Sequence, residues 1–101
     1  MNNSLYIVYI LTNKYNKVLY TGFTDNLYRR VKEHREKMNK RSFTSRYNVH
    51  KLVYFEEVSD LEYAKFREHQ IKAGSRQKKI DLINKNNPRW IDLFETLKDF
   101  G

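Results

Sequence analysis

The sequence predicts an α+β domain: a small three-stranded sheet covered by helices. Three observations predict it. Runs rich in β-branched and aromatic residues begin at Leu5, Val18 and Lys51. Helix-start residues stand just after the second and third of these runs. The chain has 101 residues, which sets the scale of one domain, 1–101.

Leu5 to Leu11 reads as a strand, and Val18 to Phe23 as its returning partner. Thr12 to Lys17 is polar, holds two Asn and reads as the hairpin loop, so these two strands are antiparallel. Thr24 or Asp25 can cap a helix through about Lys40, in which Leu27 and Val31 lie one turn apart. Lys51 to Val58 is a third strand, whose pairing pattern alone leaves open. Ser59 then starts a helix, with Glu62 completing a capping box. Gly74 ends that helix, and Ser75 caps another that runs to about Asn86. Asn87-Pro88 reads as the start of a last helix over about 88–98, with Asn as N-cap and Pro at the first helical position. Trp90, Leu93, Phe94 and Leu97 follow the helical period there. The predicted order is β-β-α-β-α-α plus a C-terminal helix, with a core over about 5–90.

Composition narrows the function. Forty per cent of the residues are hydrophobic and fifteen are aromatic, enough for a modest core and against disorder. No Cys is present, which excludes a disulfide scaffold and a thiolate zinc site. The longest apolar run is too short to span a bilayer, and Met-Asn-Asn-Ser lacks the basic region of a signal peptide. A soluble cytoplasmic protein without a membrane partner is the expectation. The formal net charge is +8. Residues 29–41 carry net +5 and residues 72–79 net +4, which leaves the rest of the chain close to neutral. Clustered positive charge on a small domain points to a polyanion partner, with binding that weakens steeply with salt. The plainer reading is a solubilising basic face.

Three features depart from ordinary packing patterns. Glu68 stands among Leu61, Ala64 and Ile71, an apolar stripe in which a carboxylate is costly unless it is paired or holds a metal. Periodicity alone favours an edge position with an Arg or Lys partner. Arg30 and His34 are four residues apart and share a helix face that borders Leu27 and Val31. A phosphate-contact helix or a structural His would explain them too. Tyr9 and Tyr20 lie on the two hairpin arms, with Gly22 on the Tyr20 face. Tyr on a half-buried sheet is ordinarily a packing residue, and Gly in a strand often marks a close approach.

Together these residues resemble the GIY-YIG nuclease domain. The resemblance rests on Ile7-Val8-Tyr9, ten residues, Tyr20-Thr21-Gly22, then Arg30 and His34. Ala64 to Lys72 is similar to that family's glutamate-bearing helix. Gly74 to Lys79 resembles the basic segment of its small stand-alone bacterial members, which are similar to the C component of the excision nuclease. The match covers about residues 5–90. It implies a three-stranded antiparallel sheet flanked by helices, and hydrolysis of nucleic-acid phosphodiester bonds with one divalent metal, Mg²⁺ or Mn²⁺. Glu68 would then be the metal ligand, and Arg30 would hold a non-bridging phosphate oxygen. Tyr9 or His34 would deal with the attacking water, and Tyr20 would fix phosphate or water. Asn86 and Asn87 are possible matches to a late Asn of the family.

Lys40, Arg41, Arg46, Lys72, Arg76, Lys78 and Lys79 are the expected contacts to the nucleic-acid backbone. DNA is placed ahead of RNA, in a DNA-processing or DNA-repair role. With no visible second reading module, low sequence specificity is expected, or specificity supplied by a protein partner or self-association. Two alternatives stand beside the endonuclease reading. One is a catalytically inactive nucleic-acid-binding module of the same fold. The other is a protein-interaction domain that docks through Trp90, Leu93, Phe94 and Leu97, a stripe more simply read as core-facing.

Overall fold

The computed structural model describes residues 5–36 and 47–97. The elements run β1 (Tyr6–Thr12), β2 (Leu19–Thr24), α1 (Leu27–Arg35), β3 (Lys51–Val58), α2 (Leu61–Ala73), α3 (Arg76–Asn86) and α4 (Phe94–Leu97). The sheet order is β2-β1-β3, and β1 pairs antiparallel with both neighbours. The fold is therefore α+β with a three-stranded antiparallel sheet. β1 is the central strand, which is why Val8 to Leu11 form an almost unbroken buried run.

Each sheet face carries its own core. Tyr9 and Leu11 on one face pack with Leu27 and Val31 of α1, with Leu52, and with Phe94 and Leu97 of α4. Val8 and Ile10 on the other pack with Ala64 and Ile71 of α2 and Ile83 of α3. Side chains alternate along a strand, so one central strand supplies both cores. β3 keeps pace through a bulge: Ile10 faces Tyr54 and Leu11 faces Leu52, which leaves Val53 as the extra residue.

Helix ends differ in detail from the sequence reading. Asn26, not Thr24 or Asp25, caps α1 by accepting from the Arg29 N–H. Thr24 instead accepts from the Asn26 N–H, which holds the cap in place. α1 closes at Glu36, short of Lys40. Asp60, one residue after Ser59, caps α2 by accepting from the Tyr63 N–H, so the Ser59–Glu62 capping box does not form. Gly74 and Ser75 end α2 and cap α3 as expected. Lys40, Arg41 and Arg46 lie outside the described residues.

The largest difference is at the C-terminal side. The helix predicted to begin at Asn87-Pro88 is absent over 87–93, and among the described residues of that segment only Phe94–Leu97 is helical. Asn87 closes α3 instead, with its N–H donating to the Ile83 carbonyl. The physical reason is where the apolar stripe must go. Trp90 packs in the core of α2 and α3, whereas Leu93, Phe94 and Leu97 pack in the core of α1. One helix face cannot serve two sides of a sheet, so this segment crosses from one face to the other. It does so along β3, the Leu93 N–H donating to the Leu52 carbonyl and the Leu52 N–H to Asp92. That covers a strand edge that would otherwise be open. The stripe is core, not a docking face.

Asn87 pins the crossing. Its side-chain amide donates to the Val53 and Ile91 carbonyls and accepts from the Ile91 N–H. Asn87→Ala should destabilise the domain by about 2–3 kcal/mol, because buried carbonyls lose their donor. Urea unfolding of parent and variant measures this, and a loss under about 0.5 kcal/mol would contradict it.

Candidate active site

The site is built around Tyr9. It sits directly opposite Gly22 in the β1–β2 register, so both face the α1 side. A Cβ on Gly22 would lie 2.7 Å from the Tyr9 hydroxyl and 2.8 Å from its ring carbon Cζ. The Tyr9 ring therefore lies across the backbone of β2, in space that only glycine leaves open. Tyr20, two residues before Gly22, shares that face, with its ring centroid 6.3 Å from that of Tyr9.

α1 brings the next two groups. Leu27 and Val31 seat the helix on the sheet, and the same register turns Arg30 and His34 toward the two phenols. His34 is buried, with its ring 5.5 Å from Tyr20 and 6.3 Å from Tyr9 between centroids. Its Nε2 is 3.4 Å from the Tyr9 oxygen. Burial, reinforced by the Arg30 charge, pushes the His34 pKa down to about 4, against an opposing pull from Glu33. His34 is neutral at pH 7 and can accept a hydrogen bond there. Arg30 acts on the Tyr9 oxygen and pairs with Glu33 at 3.1 Å. Partial burial works against the Arg30 charge, but hydrogen bonding to Tyr9 and Glu33 outweighs it and raises its pKa. Burial, with Tyr20 beside it, pushes the Tyr9 phenol up to about 12, although Arg30 pulls the other way.

Glu68 arrives from the opposite layer. α2 packs against the other face of the sheet, yet Glu68 steps out of its Ala64–Ile71 stripe and its charge reaches Tyr9. The Glu68 side chain is 18% exposed and pairs with Lys72 at 2.9 Å. The Lys partner at the stripe's edge is the pairing that periodicity favours for Glu68, and its charge also reaches the Tyr9 phenol. All five residues singled out, Tyr9, Tyr20, Arg30, His34 and Glu68, gather at this one place.

A model of the GIY-YIG catalytic domain matches residues 5–81. The chain belongs to the GIY-YIG family. A UPF0213 protein of Syntrophus aciditrophicus is 40% identical over 82 residues, covering 81% of this chain and 93% of the relative. A UPF0213 protein of Clostridium perfringens is 42% identical over 77 residues, covering 76% and 81%. The solution NMR structure of a UPF0213 protein from Bacillus halodurans superposes with a TM-score of 0.53 at 30% identity, covering 82% of this chain and 86% of that one. GIY-YIG is a nuclease family whose members act on nucleic acid and are generally metal-dependent. Among the described residues, no helix is long and apolar enough to cross a membrane.

The GIY-YIG donor set here is compatible with a hard cation. Among the described residues, no cluster of three or more acidic or His side chains is placed to hold a metal. Glu68 is a largely sheltered carboxylate whose charge reaches the Tyr9 phenol, which suits an ion that keeps several waters and takes substrate oxygens. Phe23, just after the second motif, packs into the α2 core and so points away from the phenols.

The basic residues divide. Lys79 donates to the Lys72 and Gly74 carbonyls, so its ammonium caps the end of α2. Arg76 reaches the Asn16 carbonyl in the hairpin loop. Lys72 and Lys78 are exposed. Asn87, a possible match to a late family Asn, is engaged in the chain crossing.

Sequence reasoning missed two supports. Glu33 holds Arg30 and is visible in hindsight as an i,i+3 acid. Glu56 accepts from Tyr54 and, at 2.9 Å, from Arg67, which anchors α2 one residue before Glu68. No local signal pairs residues on β3 with residues on α2.

The buried His34 couples stability to pH. Its pKa is about 4 in the fold against an ordinary 6.5, so only the unfolded chain takes up the proton between these values. Its contribution is complete above pH 6.5 and is lost as pH falls toward 4. At pH 5 the loss should be about 2 kcal/mol relative to pH 7.5. Urea unfolding of the parent and His34→Gln at both pH values isolates it. An equal pH dependence in the two proteins would remove this assignment.

Proposed function

We propose that this chain is a metal-dependent endonuclease that hydrolyses nucleic-acid phosphodiester bonds, DNA ahead of RNA, with little sequence preference. The observation that carries the reading is the gathering of Arg30 and His34 at the Tyr9 hydroxyl, within reach of the Glu68 charge, from two helices on opposite faces of the sheet. Packing alone has no use for a guanidinium, an imidazole and a carboxylate around one buried phenol.

Each side chain has a task that its surroundings suit. Arg30, held charged, binds a non-bridging phosphate oxygen and stabilises the charge that grows there. Glu68 would hold the divalent ion, which when bound supplies further charge stabilisation at the phosphate. Tyr9 is a poor base alone, since its pKa lies near 12. It instead orients the attacking water and takes that water's proton as its own phenol proton passes to His34, whose Nε2 faces its oxygen. Burial is the main cause of the low His34 pKa and the Arg30 charge adds to it; the arriving phosphate offsets the Arg30 part, so proton uptake becomes easier when substrate is bound. Tyr20 positions water or phosphate through its hydroxyl. Lys72, Arg76 and Lys78 would meet the nucleic-acid backbone outside the site, a sequence-blind contact.

Nicking of supercoiled DNA, branched and plain duplex DNA, and RNA with Mg²⁺ or Mn²⁺ tests the proposal. Cleavage should require the metal and stop with EDTA. Arg30→Ala should lower it by about 10²- to 10³-fold, the usual loss when one oxyanion donor is removed. Salt-dependent binding without cleavage under either metal would instead establish the inactive binding module.

A further inference from the structure

The Glu68–Lys72 pair is unlike the other ion pairs among the described residues. Arg67–Glu56 and Arg35–Asp92 are about equally sheltered on both sides, at 23% and 23% and at 27% and 32% exposure. The pairs on α1 and at the start of α2 are exposed on both sides. In Glu68–Lys72 the carboxylate is 18% exposed and the ammonium 53%. The acid is held in the fold, while the cation sits on a flexible four-carbon stem at the solvent side. The partner of Lys72 is Glu68, whose charge reaches the Tyr9 phenol, so the ammonium lies on the site side of α2.

We propose that Lys72 is a placeholder for the metal. In the free protein its ammonium neutralises the half-buried Glu68 carboxylate, and when a divalent ion takes Glu68, Lys72 is released to a phosphate of the nucleic acid. This rests on reading Glu68 as the metal ligand. The physical need is plain. A carboxylate only 18% exposed is costly without a positive partner, and in the free protein Lys72 fills that need. Arg30, the other charged group of the site, is held in the same way by Glu33 on its own helix. Two consequences follow. Lys72 competes with the metal, so the free protein binds metal more weakly than Glu68 alone would allow. Nucleic acid gives the displaced ammonium a partner, so substrate and metal favour each other's binding.

The test is Mn²⁺ titration of the free protein, read as loss of the free-ion electron paramagnetic resonance signal and by calorimetry. Lys72→Gln keeps length but removes charge, and should tighten Mn²⁺ binding by roughly three- to tenfold. Lys72→Arg should bind no more tightly than the parent, and Lys85→Gln, an equal charge change at an exposed position of α3, should stay within about twofold of it. With Ca²⁺ present, Lys72→Gln should also reduce the slope of log affinity for duplex DNA against log salt by about one, whereas in EDTA, where Lys72 stays on Glu68, the slope should change little. Circular dichroism confirms that each variant is folded. Unchanged or weaker Mn²⁺ binding in Lys72→Gln, with Glu68→Gln abolishing it, overturns the placeholder role alone and leaves an ordinary helix pair. Equal Mn²⁺ binding in the parent and Glu68→Gln overturns both this role and the assignment of Glu68 as ligand.

Discussion

Glu68→Gln should lower cleavage by about a thousandfold or more and leave the protein folded. A metal at a phosphoryl centre supplies several kcal/mol of transition-state charge stabilisation. At about 1.4 kcal/mol per factor of ten, the loss of its carboxylate ligand reaches that size. The amide keeps the shape and the hydrogen-bonding capacity of the acid but not its charge. Stability should change little, because Glu68 stands at the edge of the α2 stripe and its partner Lys72 is mostly in solvent. Binding of DNA in EDTA should hold or improve slightly, since one negative charge next to the phosphate path is gone. The diagnostic pattern is therefore lost turnover with retained binding and an unchanged melting temperature. Single-turnover cleavage with saturating Mg²⁺ or Mn²⁺, beside melting curves, reads all three. Parental cleavage in Glu68→Gln would mean that another site or another protein does the cutting.

The parts legible in the sequence are those that local chemistry determines. Tyr9, Tyr20, Gly22, Arg30, His34 and Glu68 are all visible as breaks in otherwise regular patterns, because strand alternation and helical spacing say which face each must occupy. The hairpin is legible for the same reason, as are the Gly74–Ser75 boundary and the antiparallel sheet implied by the family resemblance. The Asn87-Pro88 signal fails because it is a local cue overruled by tertiary structure. The cores on the two sheet faces draw Trp90 one way and Phe94 the other, and a continuous helix could not satisfy both. The shift of caps by one residue, to Asn26 and Asp60, has a smaller cause. Neighbouring polar residues are all competent caps, and the packing of Leu27 and of Ala64 decides which is used. The Glu56–Arg67 anchor spans two elements and leaves no periodic trace in either. That the carboxylate of α2 and the guanidinium of α1 meet at one tyrosine, although their helices cover opposite faces, is likewise a property of the assembled sheet.

Gly22→Ala should cripple the site from a residue that has no chemistry of its own. The glycine is needed for space: its φ is not in the left-handed region, and alanine could adopt the same backbone. A methyl group there would stand 2.7 Å and 2.8 Å from the hydroxyl and ring carbon of Tyr9, and 3.2 Å from Cε2 of Tyr20. Tyr9 cannot yield easily. The residue is 1% exposed, packed with Leu11, Val31 and Leu52, and its ring is not the free end of a flexible chain. Forcing it aside should cost about 1–3 kcal/mol, the usual size for overpacking in a closed core. The displaced hydroxyl loses its alignment with His34 and Arg30, and a shift near 1 Å in a catalytic group costs about a hundredfold in rate. Gly74→Ala is the control, since a methyl there meets nothing closer than 3.4 Å and the extended backbone accepts alanine. Tyr9→Phe separates the two effects. Added to Gly22→Ala, it removes the 2.7 Å contact and should recover part of the stability, while cleavage stays lost because the hydroxyl is gone. Urea unfolding and single-turnover cleavage of the four proteins measure both. If Gly22→Ala matched Gly74→Ala in stability and cut at the parental rate, the Tyr9 ring would not lie across β2, and the convergence on its hydroxyl would fail with it.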